Sequence, residues 1–335
     1  MMSPSTSRSR DRARAEGLRQ VALADESVEL PTRWRLPLWA LVLKLVLVTG
    51  GLLLLLHWAL QRLPDDRPAL DLWSLLGAIL LNQLALHAAA WRLQATLAAF
   101  GVSIRRGQAM RIHLQSLFYF FFVPMSVGLE IARFLKVRDI DPTVSAKRLL
   151  FALLFDRVLG LAGVLLVVGM LLPLVLPALL PQLWHPGWLL FAVVVASIIG
   201  AASWLHPRLR ELLLTMIAAT AEVRQSPPLL IALSLAALLL VCASVYVIAI
   251  SARIDIGLVP LTFALSASLL GMMLPVSLLG ATVREAAGIG IFAALGISAA
   301  SGMLLVTTAY GGRLLGALQG AIIELWMDGN PLIIA

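Results

Sequence analysis

Long apolar runs recur along most of the chain, and the short segments between them carry most of the charged residues. Each run has the roughly 20 residues that an α-helix needs to cross the hydrocarbon of a bilayer. The pattern therefore predicts an all-α, polytopic membrane protein. We expect one integral membrane domain over residues 37–327, preceded at residues 1–36 by a basic, disordered cytoplasmic tail.

Two of these apolar regions contain helix breakers and charged side chains. The first reads FVPMSVGLEIARFLK at residues 122–136, and the second reads LPVSLLGATVRE at residues 274–285. Proline interrupts a helix, and serine is favoured at the N-terminus of the helix that follows. Each stretch therefore predicts a helical hairpin whose second half-helix begins near Ser126 or near Ser277.

Basic loops indicate how the chain crosses the membrane. The segments on both sides of the apolar region 112–132 are basic, and cytoplasmic loops carry an excess of lysine and arginine. A single crossing there would place one basic segment outside, whereas a re-entrant hairpin that turns near residues 124–128 keeps both inside. Irregular backbone is tolerated at membrane depth where protein or a water-filled cavity surrounds it. We therefore expect about six full crossings, two re-entrant helical hairpins and two cytoplasmic termini.

The crossings and hairpins fall into two similar halves. The proline, serine and arginine of the first interrupted stretch recur in the second at one constant spacing, and RVLG at residues 157–160 recurs as RLLG at residues 313–316. The first hairpin is reached from inside and the second from outside, which predicts an inverted repeat, a recurring plan of transporters. Repeat one covers about residues 70–172 and repeat two about residues 229–326. The expected crossings are residues 37–60, 70–91, 149–172, 187–205, 229–250 and 299–326, with an outer loop at residues 173–186.

The interrupted stretches also supply candidate binding residues. A half-helix exposes backbone N–H groups and a partial positive charge at its N-terminus, which suits an anion such as a phosphate. Ionisable groups within a membrane are unfavourable, and they mark functional sites by default. The candidate substrate-binding residues are Pro124, Ser126, Gly128, Glu130, Arg133, Asp156, Arg157, Pro275, Ser277, Gly280, Arg284, Glu285 and Arg313.

Structural roles compete with binding at some of these positions. Arg133 can lie at the cytoplasmic interface as an ordinary loop-flanking base, and Asp156 with Arg157 can form an internal ion pair that holds helices together. Glu130 and Arg133 are three residues apart, so they can share one helix face. The sequence alone leaves these alternatives open.

Other functional classes find little support. The net charge of +8 reflects basic loops, so nucleic acid is not an expected partner. The single cysteine, Cys242, and five histidines without metal-ligand spacing predict neither a disulfide nor a metal site. No nucleotide-binding or hydrolase motif is present, and we expect no cofactor and no enzyme activity. Intramembrane chemistry by Glu130, Asp156 or Glu285 stays an open alternative.

The two interrupted stretches resemble the membrane domain of the lysylphosphatidylglycerol synthases. The family pattern is roughly P-x-S-x-G-G-D-x-x-R, an acidic residue followed by Arg in the next helix, and P-x-S-x-x-G-x-G-x-R-E. The resemblance covers about residues 70–326, and the chain departs from it at Leu129, Glu130 and Thr282, which replace Gly, Asp and Gly. It implies a lipid flippase of the bacterial inner membrane without aminoacyl transfer, which in that family belongs to a C-terminal soluble domain.

The leading hypothesis is therefore a transporter for a lipid with an anionic head group, either a phospholipid or a polyprenyl lipid. The alternative is a non-transporting membrane scaffold for a lipid- or glycan-modifying enzyme. In that case the basic tail and the segment 206–228 would dock the partner enzyme. The sequence does not indicate an oligomeric state.

Overall fold

A computed structural model describes residues 71–122, 127–183, 227–270, 277–278 and 281–324, with scattered helical positions between residues 43 and 61. Apart from one pair of two-residue strands, the elements in these ranges are helices, as the pattern predicts. The helices are α1 (Leu72–Ala99), α2 (Arg106–Phe122), α3 (Val127–Ile140), α4 (Ala146–Leu183), α5 (Pro227–Ser251), α6 (Leu258–Leu270), α7 (Val283–Ala294) and α8 (Ala299–Ile322). Strands β1 (Ser277–Leu278) and β2 (Ala281–Thr282) lie between α6 and α7.

Three helices of the described part, α1, α4 and α5, are long and apolar enough to cross a membrane, and α6 is apolar but shorter. Many of their large apolar side chains are exposed, among them Leu80, Leu165 and Leu239. Exposed apolar surface on long helices is typical of contact with lipid. The expected crossing 187–205 lies outside the described residues, and so does most of the crossing 37–60. The number of crossings therefore stays a prediction.

Helix α4 is longer than the sequence pattern suggested. It runs from Ala146 to Leu183, so the expected outer loop at residues 173–186 is wrong for its first eleven positions. Pro173, Pro177 and Pro181 each remove one backbone hydrogen bond, and their spacing of four places these losses along one face of the helix. In membrane helices, local adjustments and neighbouring groups satisfy the backbone groups freed in this way.

The first interrupted stretch forms the predicted break. Helix α2 ends at Phe122 and α3 begins at Val127, close to the start expected near Ser126. The two helices pack against each other, with Phe118 and Ala132 in one apolar cluster and Ile112 and Val137 in another. This packing makes a helical hairpin, and its re-entrant position in a membrane stays a prediction.

The second interrupted stretch differs from its expected form. Helices α6 and α7 also pack against each other, and Gly288 of α7 lies against Ser268 of α6. However, α7 begins at Val283, so a half-helix start near Ser277 is wrong. Strands β1 and β2 pair antiparallel here, with Ser277 opposite Thr282. Their backbone groups are satisfied across the ladder rather than along a helix.

The two halves of the fold make equivalent helix contacts. Each contact made by a helix of α1–α4 has a counterpart when α1, α2, α3 and α4 are replaced by α5, α6, α7 and α8, and the reverse. Helix α2 packs on α8 as α6 packs on α4, α3 packs on α4 as α7 packs on α8, and α1 packs on α4 as α5 packs on α8. The exchange maps the contact between α1 and α5 onto itself. This is the pattern expected of two equivalent repeats.

Helices α1 and α5 run in opposite directions. The Ser251 hydroxyl at the end of α5 donates to the carboxylate of Asp71, the residue that caps the start of α1, at 2.9 Å. Near the other end, Arg92 Nη1 of α1 donates to Ser234 Oγ of α5 at 3.3 Å. Corresponding helices of an inverted repeat are expected to be antiparallel in this way. The inversion with respect to a membrane stays a prediction.

Candidate functional site

One face of α3 carries three charged residues spaced by three, Glu130, Arg133 and Lys136. The side chains of Arg133 and Lys136 are only 5% and 9% exposed. The guanidinium of Arg133 is therefore enclosed by neighbouring helices, and its position at the cytoplasmic interface stays an open alternative. Burial of two cations on one short helix requires acidic partners on the elements around it.

Asp156 of α4 is the acidic partner on one side. Its carboxylate is 1% exposed and receives Arg92 Nε at 2.8 Å and Arg92 Nη2 at 3.1 Å, one donor on each oxygen. Arg133 Nη1 approaches the same carboxylate at 3.3 Å. Two-pronged arginine–carboxylate pairs are among the strongest hydrogen-bonded contacts in proteins, and they offset part of the desolvation of the charges.

Arg92 and His113 are site residues that the sequence analysis missed. The expected crossing 70–91 ends just before Arg92, but Arg92 lies inside α1 with its side chain 14% exposed. The mostly apolar residues 95–100 beyond it are the sequence signal that the helix continues. His113 of α2 is buried, with Nδ1 3.0 Å from Arg133 Nη2, so a neutral ring accepts at this nitrogen. No spacing pattern pointed to His113.

Glu130 and Arg157 form the second link between α3 and α4. Arg157 Nε donates to Glu130 Oε1 at 2.7 Å, and Arg133 Nη1 lies 3.6 Å from the same oxygen. Asp156 and Arg157 therefore both tie α4 to α3, but through different partners. Adjacent residues point about 100° apart on a helix, so one faces the interior while the other, 39% exposed, faces outward.

The network made by Arg92, His113, Glu130, Arg133, Asp156 and Arg157 joins α1, α2, α3 and α4, and Ser234 adds α5. Among the described side chains, its three arginines face two carboxylates, so this group carries one excess positive charge. Glu130 Oε2 and Arg133 Nε are buried without a hydrogen-bond partner among the described residues. Buried polar groups normally have partners. Of these two groups only Arg133 Nε is a donor that can engage an anion, whereas Glu130 Oε2 can only accept a hydrogen bond.

The other candidate residues lie apart from this network or beyond description. Gly128 is buried in the first turn of α3. The Arg313 guanidinium of α8 lies 5.7 Å from the Phe120 ring centre and 5.6 Å from that of Tyr310, within cation–π range. The backbones of Ser277, Arg284 and Glu285 lie in β1 and α7, and their side chains are outside the described part, as are Pro124, Ser126, Pro275 and Gly280.

A second buried carboxylate, Glu324, lies just beyond α8 and was also missed. Its side chain is 0% exposed and accepts from Lys136 Nζ at 2.9 Å, Tyr119 Oη at 2.8 Å and Gln115 Nε2 at 2.7 Å. These donors come from α2 and α3, so Glu324 fixes both helices of the first hairpin to the end of α8. A lone acid at the end of an apolar run was the only sequence signal. Across the described residues, no group of three His, Cys, Asp or Glu is arranged to hold a metal ion.

The family model described as the lysylphosphatidylglycerol synthase TM region matches residues 21–311, well over half of the chain. The chain belongs to this family. The membership confirms the resemblance carried by the two interrupted stretches, and it makes the protein a membrane protein of a family that handles lipids. This family region is not itself the catalytic part of the synthases. No curated protein and no solved structure gives a significant match to the chain.

Proposed function

We propose that this protein is a flippase-like transporter that moves a lipid with an anionic head group between the leaflets of the bacterial inner membrane, with both termini in the cytoplasm. The observation that carries the proposal is the buried network around Arg133, whose described side chains carry one excess positive charge inside a bundle of apolar helices. A cluster of charges in such surroundings is unfavourable for folding alone and is typical of a substrate pathway. Membership of a lipid-handling membrane family supports the same class of substrate.

Arg133 is the group that binds the head group in this proposal. A lipid phosphodiester carries one negative charge, which would balance the excess positive charge of the network. It would accept a hydrogen bond from the buried Arg133 Nε, which has no partner among the described residues. Glu130 would meanwhile hold Arg157 or meet a cationic part of the head group.

The paired hairpins supply the route between leaflets. In the proposed cycle the repeats of α1–α4 and α5–α8 open alternately around the head-group site, as in transporters built from inverted repeats. The second hairpin would contribute Ser277, Arg284 and Glu285 from the opposite side.

Proteoliposomes with fluorescent lipids quenched from one side test the proposal. Arg133→Gln should slow translocation of an anionic phospholipid by roughly tenfold or more, since it removes a charged contact to the phosphate. Arg133→Lys should retain part of the rate, and Arg148→Gln, an exposed arginine of α4, is the matched control. If the wild-type protein moves no lipid, or Arg133→Gln remains folded and as fast as wild type, the proposal fails.

The scaffold alternative rests on the tail and the segment 206–228, which lie outside the described residues. No described contact favours it.

A further inference from the structure

Arg157 lies on a face of α4 that is otherwise apolar and exposed. Leu150, Leu154, Val158 and Leu165 are exposed large apolar residues on the same helix, and their spacings of three, four and seven place them in one stripe with Arg157. The helix is one of the candidate membrane spans, so we expect lipid to cover this stripe. Arg157 lies about 16 Å along the axis from the start of α4, whereas interfacial bases lie near the ends of a span.

The interface between α3 and α4 has two parts. Toward the loop that joins the helices, Val137 of α3 shares an apolar cluster with Leu149 and Leu153 of α4. Toward the helix break at residues 123–126, the contacts between these two helices include the ion pairs Glu130–Arg157 and Arg133–Asp156. Apolar packing therefore holds one end of the interface, and arginine–carboxylate ion pairs hold the other. In such a pair, a lipid phosphate can take the place of the carboxylate.

The charged side chains form a chain from the lipid-facing surface to the interior. The Arg157 side chain is 39% exposed, that of Glu130 is 21% exposed and that of Arg133 is 5% exposed. Glu130 Oε1 contacts both arginines, at 2.7 Å from Arg157 Nε and 3.6 Å from Arg133 Nη1. An anion that replaces the Glu130 carboxylate on Arg157 therefore lies next to Arg133, the buried arginine.

We propose that the charged end of the α3–α4 interface is a lateral portal for phospholipid head groups, with Arg157 as its first binding residue and Glu130 as its gate. The proposal rests on the proposed function and adds the route by which the lipid leaves the bilayer. A phosphodiester exchanges with the Glu130 carboxylate on Arg157, and the released carboxylate stays beside Arg133. The acyl chains remain on the apolar stripe of α4. The head group therefore keeps a charged partner and the acyl chains keep apolar contacts while the lipid enters.

Head-group selectivity distinguishes a portal from a purely structural ion pair. Translocation of fluorescent phosphatidylglycerol and phosphatidylcholine is measured in proteoliposomes over a range of lipid concentrations, for wild type, Arg157→Gln, Arg157→Lys and Glu130→Gln/Arg157→Gln. For phosphatidylglycerol, Arg157→Gln should raise the concentration at half-maximal rate about tenfold and abolish the preference over phosphatidylcholine, since the phosphate loses a charged partner. Arg157→Lys should preserve that preference, and Arg148→Gln is the matched control on the same helix.

The double variant decides between the two roles. Its two neutral amides can still hydrogen-bond across the interface, so a structural pair predicts recovery of rate and selectivity, and that result overturns the portal. The portal predicts that the double variant unfolds at the wild-type temperature and still fails to prefer phosphatidylglycerol. If Arg157→Gln unfolds, loss of selectivity in Arg157→Lys overturns the portal as well. A wild-type protein that moves neither lipid refutes the proposed function, whereas a moving wild type with an unaffected Arg157→Gln refutes the portal alone.

Discussion

Asp156 and Glu324 are both fully buried carboxylates that fix α3, but their surroundings differ. Among the contacts of the described residues, Asp156 faces two guanidinium groups, whereas Glu324 faces one ammonium, one phenol and one amide. The Glu324 cluster consists of buried side chains, while the Asp156 network continues through Glu130 to the exposed Arg157. The Glu324 cluster is therefore closed to the surface, whereas the Asp156 network connects the interior with the surface.

The partners also decide how each cluster responds to damage. Arginine does not lose its proton in proteins, so the guanidinium groups around Asp156 stay charged whatever happens to the carboxylate. Loss of Asp156 therefore leaves two charged guanidinium groups without their shared carboxylate, whereas loss of Glu324 removes the acceptor of one ammonium and two neutral donors. Two of the four predictions that follow test this difference directly.

Asp156→Ala should cause the largest loss, about 3–5 kcal/mol in the free energy of unfolding, because it leaves two arginines buried without their shared carboxylate. Thermal unfolding of the purified protein in detergent measures the effect. Asp156→Asn keeps the size and an accepting oxygen and should lose less. Equal stability of Asp156→Ala and wild type would contradict the geometry of this network.

Glu324→Ala should destabilise the protein by a smaller amount, about 2–3 kcal/mol, because Lys136, Tyr119 and Gln115 lose an acceptor and only one of these donors is charged. The same unfolding measurement applies. The double variant Lys136→Met/Glu324→Gln removes both charges and keeps an acceptor, so it should recover part of the loss. A larger loss of unfolding free energy for Glu324→Ala than for Asp156→Ala would contradict the expected order of the two clusters.

Gly320→Ala tests whether close packing helps to hold the Glu324 end of α8. A Cβ at this position would collide with the Leu114 backbone of α2, while at Gly316 it would lie 2.9 Å from Leu117 Cδ1. Small residues spaced by four let helices approach closely, and we expect a loss of about 1–3 kcal/mol. Gly290→Ala is the matched control, since nothing lies within 4 Å of its added Cβ. The prediction is refuted if both variants behave alike.

Asp71→Ala should have the smallest effect, because its exposed tie between α1 and α5 lies outside both clusters. A hydrogen bond from the Ser74 hydroxyl, with further bonds from the Ser74 amide and Ser251, lowers the pKa of Asp71 to about 2. A lowered pKa adds stability that is complete above about pH 4 and is lost as the pH falls to about 2. The melting temperatures of variant and wild type should thus differ slightly at neutral pH and converge near pH 2. A difference that grows with acidity would contradict this sign.

Periodicity predicted the helices better than it predicted their ends. Strong apolar patterns placed α5 within a few residues, but they ended the first repeat's leading helix before Arg92, because an arginine beside a tryptophan is typical of an interface. The prolines at the end of α4 predicted a loop, because proline is common in loops, yet the helix continues through them. Residue type and nearby sequence predict the surroundings in which a residue is most often found. Arg92 is instead paired with a distant carboxylate, and the prolines lie within a long helix.

The sequence by itself determined the helical membrane class, the break between α2 and α3, the family, and the candidates Glu130, Arg133, Asp156 and Arg157. These follow from runs of apolar residues and from short motifs, which are local properties. Only the tertiary structure decided which charges meet. The pairs Arg92–Asp156 and Lys136–Glu324 join residues 64 and 188 positions apart, and their partners are chosen by helix packing. Long-range packing also buries Lys136 while it leaves Arg157 partly exposed.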